Sequence, residues 1–207
     1  YSERNPADLP WNTLDIDIVF ECSGVFTSKE ACQKHIDAGA KRVLISAPGS
    51  DEDLTVVFGV NHDKLTADHV IVSNASCTTN CLAPVIQVMQ AKVGIRHGTM
   101  TTIHALTNTQ TLVDKGHRDL RRARAAGQSL IPTTTGSAQA ITDIFPELTG
   151  KLNGMAVRVP LLGASLTDFV FEAARPVTVA EINGYFQAAA NAELAGILGY
   201  EERPLVS

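Results

Sequence analysis

The chain has 207 residues, of which 44% are hydrophobic and 19% are charged, and its formal net charge is -5. This length suggests one or two domains with enough residues for a sizeable core. No apolar run reaches the ~18 residues that suggest a membrane span. An acidic balance argues against the broad basic face of a general nucleic-acid binder. We therefore expect a globular protein with no membrane and no nucleic-acid partner.

The two ends of the sequence suggest an internal part of a longer protein. The first residue is Tyr1 rather than Met, and the last segment, GYEERPLVS, stops at a strand-like apolar triplet. No signal peptide is recognisable, and the four cysteines form neither a C-x-x-C pair nor a set with histidine at metal-site spacing. The cysteine spacing therefore predicts no metal site. An acidic α/β chain without a signal peptide is expected to be cytoplasmic, and its cysteines are expected to be free thiols because disulfides are rare in that compartment.

The first third of the chain alternates short apolar runs with a helical segment, which is typical of a parallel sheet with right-handed crossovers. DIDIVFEC has the pattern of a strand buried on both faces. Thr27 and Glu30 have the spacing of a capping box, and Gly39 marks a helix end. The pattern predicts strands at 15–22, 42–46, 55–59 and 69–73, and one helix over 27–40.

The pattern changes after residue 75, where a mixed sheet backed by helices is expected. A polar and basic stretch over 107–131 is too long for a plain connector, so we expect it to be functional. Thr178 and Glu181 again have capping-box spacing. The pattern predicts helices at 77–92, where Pro84 introduces a bend, at 136–145 and at 178–191, and strands at 98–106, 154–160 and 165–173. The predicted domains are therefore 1–75 and 76–207, with the stretch NASCTTNCLAP at their junction, where substrate clefts commonly form.

Cys77 is the candidate nucleophile because it opens the predicted helix 77–92, which Asn74 or Ser76 would cap. The positive end of the helix favours a thiolate by at most ~2 kcal/mol, so a good nucleophile also needs a histidine nearby. His104 ends the next strand and is the most plausible partner, although a purely structural histidine is not excluded by the spacing.

Three cysteines and two histidines are expected to have no chemical role. Cys22 and Cys32 suit small packed side chains in a strand end and a helix, and Cys81, one helical turn after Cys77, suits a packed thiol. His35 and His117 fit exposed helix or loop faces.

Three segments suggest anion binding. TTTG at 133–136 offers hydroxyl groups and a glycine just ahead of a helix, and HRDLRRARAAG at 117–127 concentrates four arginines. An ordinary turn and a solvated helical face are the alternatives for these two segments. Arg158 lies within the apolar strand AVRVP, and a buried arginine needs an anionic partner.

Taken together, several segments closely resemble phosphorylating glyceraldehyde-3-phosphate dehydrogenase. They are SNASCTTNCLAP, TTIHALTN, HRDLRRARAA, IPTTTG and KLNGMAVRVP, and NPADLPW, FECSGVFTSKE, AGAKRVLISAP and ILGYEERPLVS extend the match over essentially the whole chain. The resemblance implies an α/β and α+β architecture. In it, the remainder of a Rossmann-type NAD-binding domain is followed by most of a mixed-sheet catalytic domain.

The resemblance also implies a mechanism and a set of site residues. The family oxidises glyceraldehyde 3-phosphate with NAD through a cysteine thioester, which inorganic phosphate cleaves to an acyl phosphate; Cys77 matches the nucleophile and His104 the base. The long stretch 107–131 matches a loop that lies against a neighbouring subunit, which implies a homotetramer. Positions that match substrate or phosphate contacts are Ser76, Thr78, Thr107, Arg122, Thr135, Gly136 and Arg158, and positions that match the NAD side are Arg4, Ser23, Gly24, Ser46 and Ala47.

Local departures from the family pattern leave the subtype open. Leu106, Thr109 and Thr111 stand where an aromatic, an aspartate and a basic residue are usual, which resembles the variant encoded beside an arsenate-resistance exporter. Such a variant uses arsenate as the acceptor and forms an acyl arsenate. Erythrose-4-phosphate dehydrogenase, a non-catalytic redox-sensing paralogue and a cysteine hydrolase are the alternatives. No G-x-G-x-x-G occurs in the chain, so NAD rather than NADP is an expectation from the family alone.

Overall fold

The computed structural model describes residues 1–206 and divides the chain into two compact units, which separate between Ala83 and Pro84. Each unit contains one four-stranded sheet. The division falls inside a helix that spans Cys77–Lys92, and the domain boundary at residue 75 remains a prediction.

The first unit is a parallel sheet with a helix packed on it, as the alternation of apolar runs predicts. The elements are α1 (Trp11–Leu14), β1 (Ile18–Glu21), α2 (Lys29–Asp37), β2 (Arg42–Ile45), β3 (Leu54–Thr55) and β4 (Ile71–Ser73). The strands are arranged in the order β1-β2-β4-β3, and every neighbouring pair is parallel. Helix α2 contacts β2 and β4 and thereby covers one face of the sheet.

The core of this unit is formed by the inward side chains of the strands, and Val43, Ile45 and Ile71 are almost completely buried. Strand β1 alternates instead: Ile18 is 49% exposed and Phe20 is 65% exposed. The prediction that this strand is buried on both faces is therefore wrong. It is the edge strand of the sheet, and only one of its faces lies against the core.

Two local predictions in the first unit also need correction. Helix α2 is capped by Ser28, whose side chain accepts the N–H of Ala31 at 3.1 Å, and not by Thr27. The strand predicted at 55–59 is shortened to β3 because the side chain of Asn61 binds the N–H of Val57 at 2.7 Å and turns the chain away from the sheet.

The second unit is the predicted mixed sheet backed by helices. Its elements are α3 (Cys77–Lys92), which begins in the first unit, β5 (Ile95–Ala105), β6 (Ile131–Thr134), α4 (Ser137–Ile144), β7 (Leu152–Val159), β8 (Ser165–Ala173) and α5 (Val179–Asn191). The strands are arranged in the order β6-β7-β5-β8, in which β5 and β7 are parallel and the other two pairs are antiparallel. The fold class predicted from the sequence is confirmed in both units.

The two faces of this sheet differ in burial. The register pairs His104 with Arg158 on neighbouring parallel strands, so their side chains share one face. Met100, Thr102 and Ala156 belong to the same face and are almost fully buried, and α4 packs against β7. The opposite face exposes large apolar side chains, namely Ile103, Met155, Leu166 and Val170.

The helix ends of the second unit largely follow the sequence. Helix α3 has the bounds that were predicted for it, and Pro84 lies within it. Helix α5 begins with the predicted capping box, in which Thr178 accepts the N–H of Glu181 and the carboxylate of Glu181 accepts the N–H of Thr178.

The long polar stretch between β5 and β6 is folded back on itself. The N–H of Ala126 donates to the carbonyl of Thr111 at 2.9 Å, and the N–H of Ala125 donates to the carboxylate of Asp114 at 2.8 Å. A short 3-10 turn, Leu120–Ala123, lies between these contacts. The stretch is therefore an ordered loop with its own hydrogen bonds, and its functional role remains a prediction.

Candidate functional site

Cys77 is positioned by a tight three-residue turn, residues 74–76, that connects β4 to α3. Ala75 adopts a left-handed conformation with a φ of 58°, and its N–H donates to the hydroxyl of Ser73 at 3.0 Å. The hydroxyl of Ser76 accepts the N–H of Thr79 at 3.0 Å, so Ser76 caps the helix and Asn74 does not. A left-handed alanine costs about 1–2 kcal/mol, which the surrounding hydrogen bonds have to offset.

Asn80 is a positioning residue that the sequence analysis missed. Its side-chain amide donates to the carbonyl of Asn74 at 2.8 Å and to the carbonyl of Ser76 at 2.9 Å. Both carbonyls flank the left-handed residue, so Asn80 holds the turn that precedes Cys77. The sequence signal for this role is an asparagine in the first turn of the helix, where its side-chain amide can reach the carbonyl groups that precede the helix.

Cys77 is the first residue of α3, and its side chain is exposed. The peptide N–H groups of the first helical turn and the helix dipole favour a negative charge at this end of the helix. Cys22 and Cys81 are also exposed, so the prediction that they are packed is wrong, whereas Cys32 is buried as predicted. Burial, together with the nearby charge of Glu21, raises the pKa of the Cys32 thiol to about 11.

The residues expected to lie against NAD share one edge of the parallel sheet in the first unit. Ser23 and Gly24 follow β1, and Ser46 and Ala47 follow β2, which pairs with β1. The carboxyl edge of an open parallel sheet is where dinucleotides bind. A Cβ built on Gly24, whose φ is +73°, would meet no atom within 4 Å, so the backbone of this turn is open to approach. These residues therefore suit a dinucleotide.

Arg4 is separate from that group. It is exposed and lies two residues before a short 3-10 turn, Pro6–Asp8, whose N-cap is Asn5. Its role on the NAD side stays a prediction.

His104 ends β5 in the second unit and is 9% exposed. Its Nδ1 atom lies 2.7 Å from the carbonyl oxygen of Ala105 and 2.5 Å from Nη1 of Arg158, and this Nη1 also lies 3.0 Å from the Ala105 carbonyl. A carbonyl only accepts and a guanidinium only donates, so the two contacts of Nδ1 require opposite tautomers. The Ala105 contact leaves the lone pair on Nε2, and the Arg158 contact leaves the proton there.

Thr107 lies two residues beyond the end of β5, in a small polar cluster. Its N–H and its hydroxyl both donate to the side-chain oxygen of Gln110, at 3.0 and 2.9 Å. The amide of Gln110 donates to the hydroxyl of Thr109 at 3.0 Å. Gln110, which the sequence analysis did not single out, thus fixes both threonines.

The other predicted anion contacts lie around β6 and the start of α4. The guanidinium of Arg122 donates to the hydroxyl of Thr133 at 2.9 and 2.5 Å. The hydroxyl of Thr135 accepts the N–H of Ser137 at 3.2 Å, and Gly136 occupies the N-cap position of α4. The structure thus places His104 beside Arg158 and, separately, Arg122 beside Thr133 in the second unit, and it places the predicted NAD-side residues 23, 24, 46 and 47 at one sheet edge in the first. The pairing of Cys77 with His104 remains a prediction.

Residues 1–206 contain neither a candidate membrane span nor a candidate metal site. No helix there is both long and apolar enough to cross a membrane. In the same residues, no three or more His, Cys, Asp or Glu side chains form a group that could hold a metal ion.

Comparison with known proteins agrees with the resemblance drawn from the motifs. Residues 76–207 match the glyceraldehyde 3-phosphate dehydrogenase C-terminal domain family. The chain is 56% identical over 207 residues to the plasmid-encoded glyceraldehyde-3-phosphate dehydrogenase of Cupriavidus necator, covering 100% of the chain and 62% of that relative.

Two further relatives carry the same name. Identity is 57% over 204 residues with the Pseudomonas aeruginosa protein, covering 99% of the chain and 60% of the relative. It is 54% over 207 residues with the Geobacillus stearothermophilus protein, covering 100% of the chain and 62% of the relative. The chain thus spans less than two thirds of the length of these relatives, although the matches cover 99% or 100% of the chain itself. It belongs to the glyceraldehyde-3-phosphate dehydrogenase family.

Proposed function

We propose that the protein oxidises glyceraldehyde 3-phosphate with NAD, through a thioester on Cys77 that inorganic phosphate or arsenate then cleaves. The observation that carries the proposal is the exposed thiol of Cys77 at the start of a capped helix, within the region that matches the family. A nucleophile at a helix N-terminus suits covalent catalysis.

In the first step His104 accepts the thiol proton of Cys77, the resulting thiolate attacks the aldehyde carbon, and the alkoxide that forms takes this proton back from His104 to give the hydroxyl of a thiohemiacetal. The peptide N–H groups at the start of α3 stabilise the developing oxyanion. The turn held by Ser76 and Asn80 fixes the direction of the thiol, because it sets where the helix begins. Small errors in such positioning are costly in rate.

In the second step His104 takes the hydroxyl proton of the thiohemiacetal while the carbon loses its hydride. Bound NAD supplies the hydride acceptor. His104 performs this step in the tautomer that donates from Nδ1 to the Ala105 carbonyl, since only that form has a lone pair on Nε2. Loss of the hydride and the proton leaves the thioester on Cys77.

The anions are assigned to two groups of side chains. Arg158 and Thr107 bind the phosphate of the substrate, which agrees with their positions at the ends of β7 and β5 in the same unit. Arginine forks onto phosphate oxygens and threonine adds a hydroxyl donor. The acceptor anion is assigned to the remaining matched positions, Ser76, Thr78, Arg122, Thr135 and Gly136.

The choice between phosphate and arsenate is part of the proposal. Both are tetrahedral anions of similar charge, so the same donors suit both. Thr109 stands where an aspartate is usual and hydrogen-bonds to Thr107 at 3.1 Å. A neutral residue here removes a negative charge beside the threonine that is assigned to the substrate phosphate, and it does not distinguish the two acceptors. The proposal of arsenate as a second acceptor rests on the resemblance of Leu106, Thr109 and Thr111 to the arsenate-associated variant.

The partners are proposed on the same basis. The sheet of the second unit exposes Ile103, Leu166 and Val170 on one face, and large exposed apolar patches commonly mark interfaces. This supports self-association, which we propose to be a homotetramer in the cytoplasm.

The test is the rate of NADH formation by the complete enzyme with glyceraldehyde 3-phosphate and either phosphate or arsenate. We expect Cys77→Ser to lose at least ~10³-fold in rate, as removal of a covalent nucleophile does. The matched control is Cys81→Ser, another exposed thiol on α3, which should keep most of the activity. Unchanged turnover in Cys77→Ser, or a wild-type enzyme that forms no NADH with either anion, would refute the proposal.

A further inference from the structure

We propose that the hydrogen-bonded chain Trp11–His35–Glu21 is a positioning device that holds the Ser23–Gly24 turn in shape for the dinucleotide. The identity of this ligand rests on the proposed function. His35 was expected to lie on an exposed helix face, but it is only 4% exposed, so that expectation is wrong.

Glu21 is the last residue of β1 and is 6% exposed. One carboxylate oxygen, Oε1, accepts the N–H of Ser23 at 2.7 Å and also the hydroxyl of Ser23. The other oxygen, Oε2, lies 3.0 Å from Nε2 of His35. Three donors thus converge on this carboxylate, an arrangement that suits an acceptor-only group.

The contact with Trp11 decides which nitrogen of His35 carries the proton. The indole N–H of Trp11 lies 3.0 Å from Nδ1 of His35, and an indole nitrogen only donates. Nδ1 is therefore the acceptor, and the proton is on Nε2, where it is donated to Glu21. Trp11 thus donates to His35 and His35 donates to Glu21, while Ser23 donates to Glu21 from the other side, so that both sets of hydrogen bonds converge on the Glu21 carboxylate.

The same residue also holds the neighbouring turn. The carbonyl oxygen of Glu21 accepts the N–H of Ser46 at 3.0 Å and the hydroxyl of Ser46 at 3.3 Å. Glu21 therefore fixes the turn after β1 with its side chain and the turn after β2 with its main chain. These two turns form the edge at which the dinucleotide is proposed to bind.

Burial of the Glu21 carboxylate in this part of the core has a large desolvation cost. Transfer of an ionised group from water costs several kcal/mol even after relaxation, and apolar side chains of similar volume are often equally stable. The rings around His35 are aromatic, with Trp11 stacked at 6.3 Å and Phe26 edge-on at 6.4 Å between centroids. We therefore infer that this buried network serves to hold the conformation of the Ser23–Gly24 turn, and that it contributes little to the free energy of unfolding.

The experiment compares His35→Leu with His35→Gln in the complete enzyme. Leucine removes the donor to Glu21, whereas glutamine carries both an amide N–H for Glu21 and an amide oxygen for Trp11. We expect His35→Leu to weaken NAD binding about tenfold, in the Kd from calorimetry and in the KM for NAD, with kcat at saturating NAD and the KM for the aldehyde changed less than about twofold. His35→Gln should restore most of the affinity.

The control for lost packing is Cys32→Ala, which creates a small cavity on the same helix. It removes the bond from Sγ of Cys32 to the Phe26 carbonyl at 3.2 Å but leaves every hydrogen bond of Glu21 and Ser23 intact. Trp11→Phe keeps an aromatic ring and removes only the N–H, so it provides a second measurement if His35→Leu does not fold; we expect a loss in NAD affinity of about threefold. Equal NAD affinity in His35→Leu and Cys32→Ala at matched stability would overturn the inference, as would unchanged affinity in Trp11→Phe.

These outcomes are distinct from failure of the proposed function. A wild-type enzyme that neither binds nor reduces NAD overturns both proposals. A wild-type enzyme that does both, with no selective effect of the variants on NAD, overturns only this one.

Discussion

Asp53 ties three elements of the first unit together, and its removal should lower the free energy of unfolding by an amount that the structure predicts. One carboxylate oxygen, Oδ2, accepts the N–H groups of Val70 and Ile71 at 2.8 and 2.9 Å, at the start of β4. The other oxygen lies 2.5 Å from Nζ of Lys29, the first residue of α2. The strand that it anchors leads directly to Cys77.

The magnitude follows from the burial of each partner. A hydrogen bond to a charged group contributes about 1.5–3 kcal/mol. The ion pair contributes little, because Lys29 is 45% exposed and such pairs are worth about 0–1 kcal/mol. We expect Asp53→Ala to cost about 3 kcal/mol. Asp53→Asn should cost only about 1 kcal/mol, because both backbone bonds go to a single oxygen, which an amide also provides.

The effect depends on pH in a defined direction. Burial raises the pKa of Asp53, but hydrogen bonds from Ile71, Lys29 and Val70 outweigh this and hold the pKa below its usual value. The unfolded state, with a pKa of about 3.9, therefore binds more protons than the folded state as the pH falls. The stabilisation by the charge is complete above about pH 5 and is lost as the pH falls through the folded pKa.

The assay is urea unfolding of the wild type and both variants at about pH 7 and about pH 3. At neutral pH, with a slope of about 2 kcal/mol/M, the midpoint should fall by about 1.5 M in Asp53→Ala and about 0.5 M in Asp53→Asn. The difference between wild type and Asp53→Asn should shrink at the lower pH. Equal losses in the two variants, or a difference that does not change with pH, would refute the reasoning.

Two further predictions concern the same unit. Gly39→Ala should cost about 2–4 kcal/mol of unfolding free energy, because Gly39 has a φ of +108° and an added Cβ would lie 2.6 Å from backbone atoms of Asn12; a thermal midpoint equal to that of the wild type would contradict it. Cys32 should resist iodoacetamide near neutral pH, since burial and the charge of Glu21 raise its thiol pKa to about 11, while the exposed Cys22 becomes labelled. Peptide mass spectrometry reads this directly, and labelling of Cys32 at the rate of Cys22 in the folded protein would show that the burial argument is wrong.

Much of the local structure could be predicted from the sequence, because it depends on contacts between residues close in the chain. The bounds of α3 and the capping box of Thr178 with Glu181 are examples, since a cap and its partner lie three residues apart. The alternation of apolar residues also predicted the parallel and mixed sheets. The ordered motifs around Cys77 indicated the family.

Other features were outside the reach of such patterns. The shortening of β3 by Asn61 and the left-handed conformation of Ala75 depend on side-chain hydrogen bonds that no propensity predicts. The exposure of Phe20 depends on which face of the sheet is covered by α2, and this is a property of the whole sheet and not of the strand alone.

The sequence by itself therefore determined the family, the fold class and the identity of the candidate nucleophile and base. The tertiary structure alone decided that His35 is buried between Trp11 and Glu21, which lie 24 and 14 residues away in the chain. It also decided that His104 and Arg158, which are 54 residues apart in the chain, lie side by side on the adjacent strands β5 and β7. The physical reason is that hydrogen bonds between residues distant in the chain form only once the sheets have formed. Helix caps and amphipathic faces, in contrast, depend on a few consecutive residues.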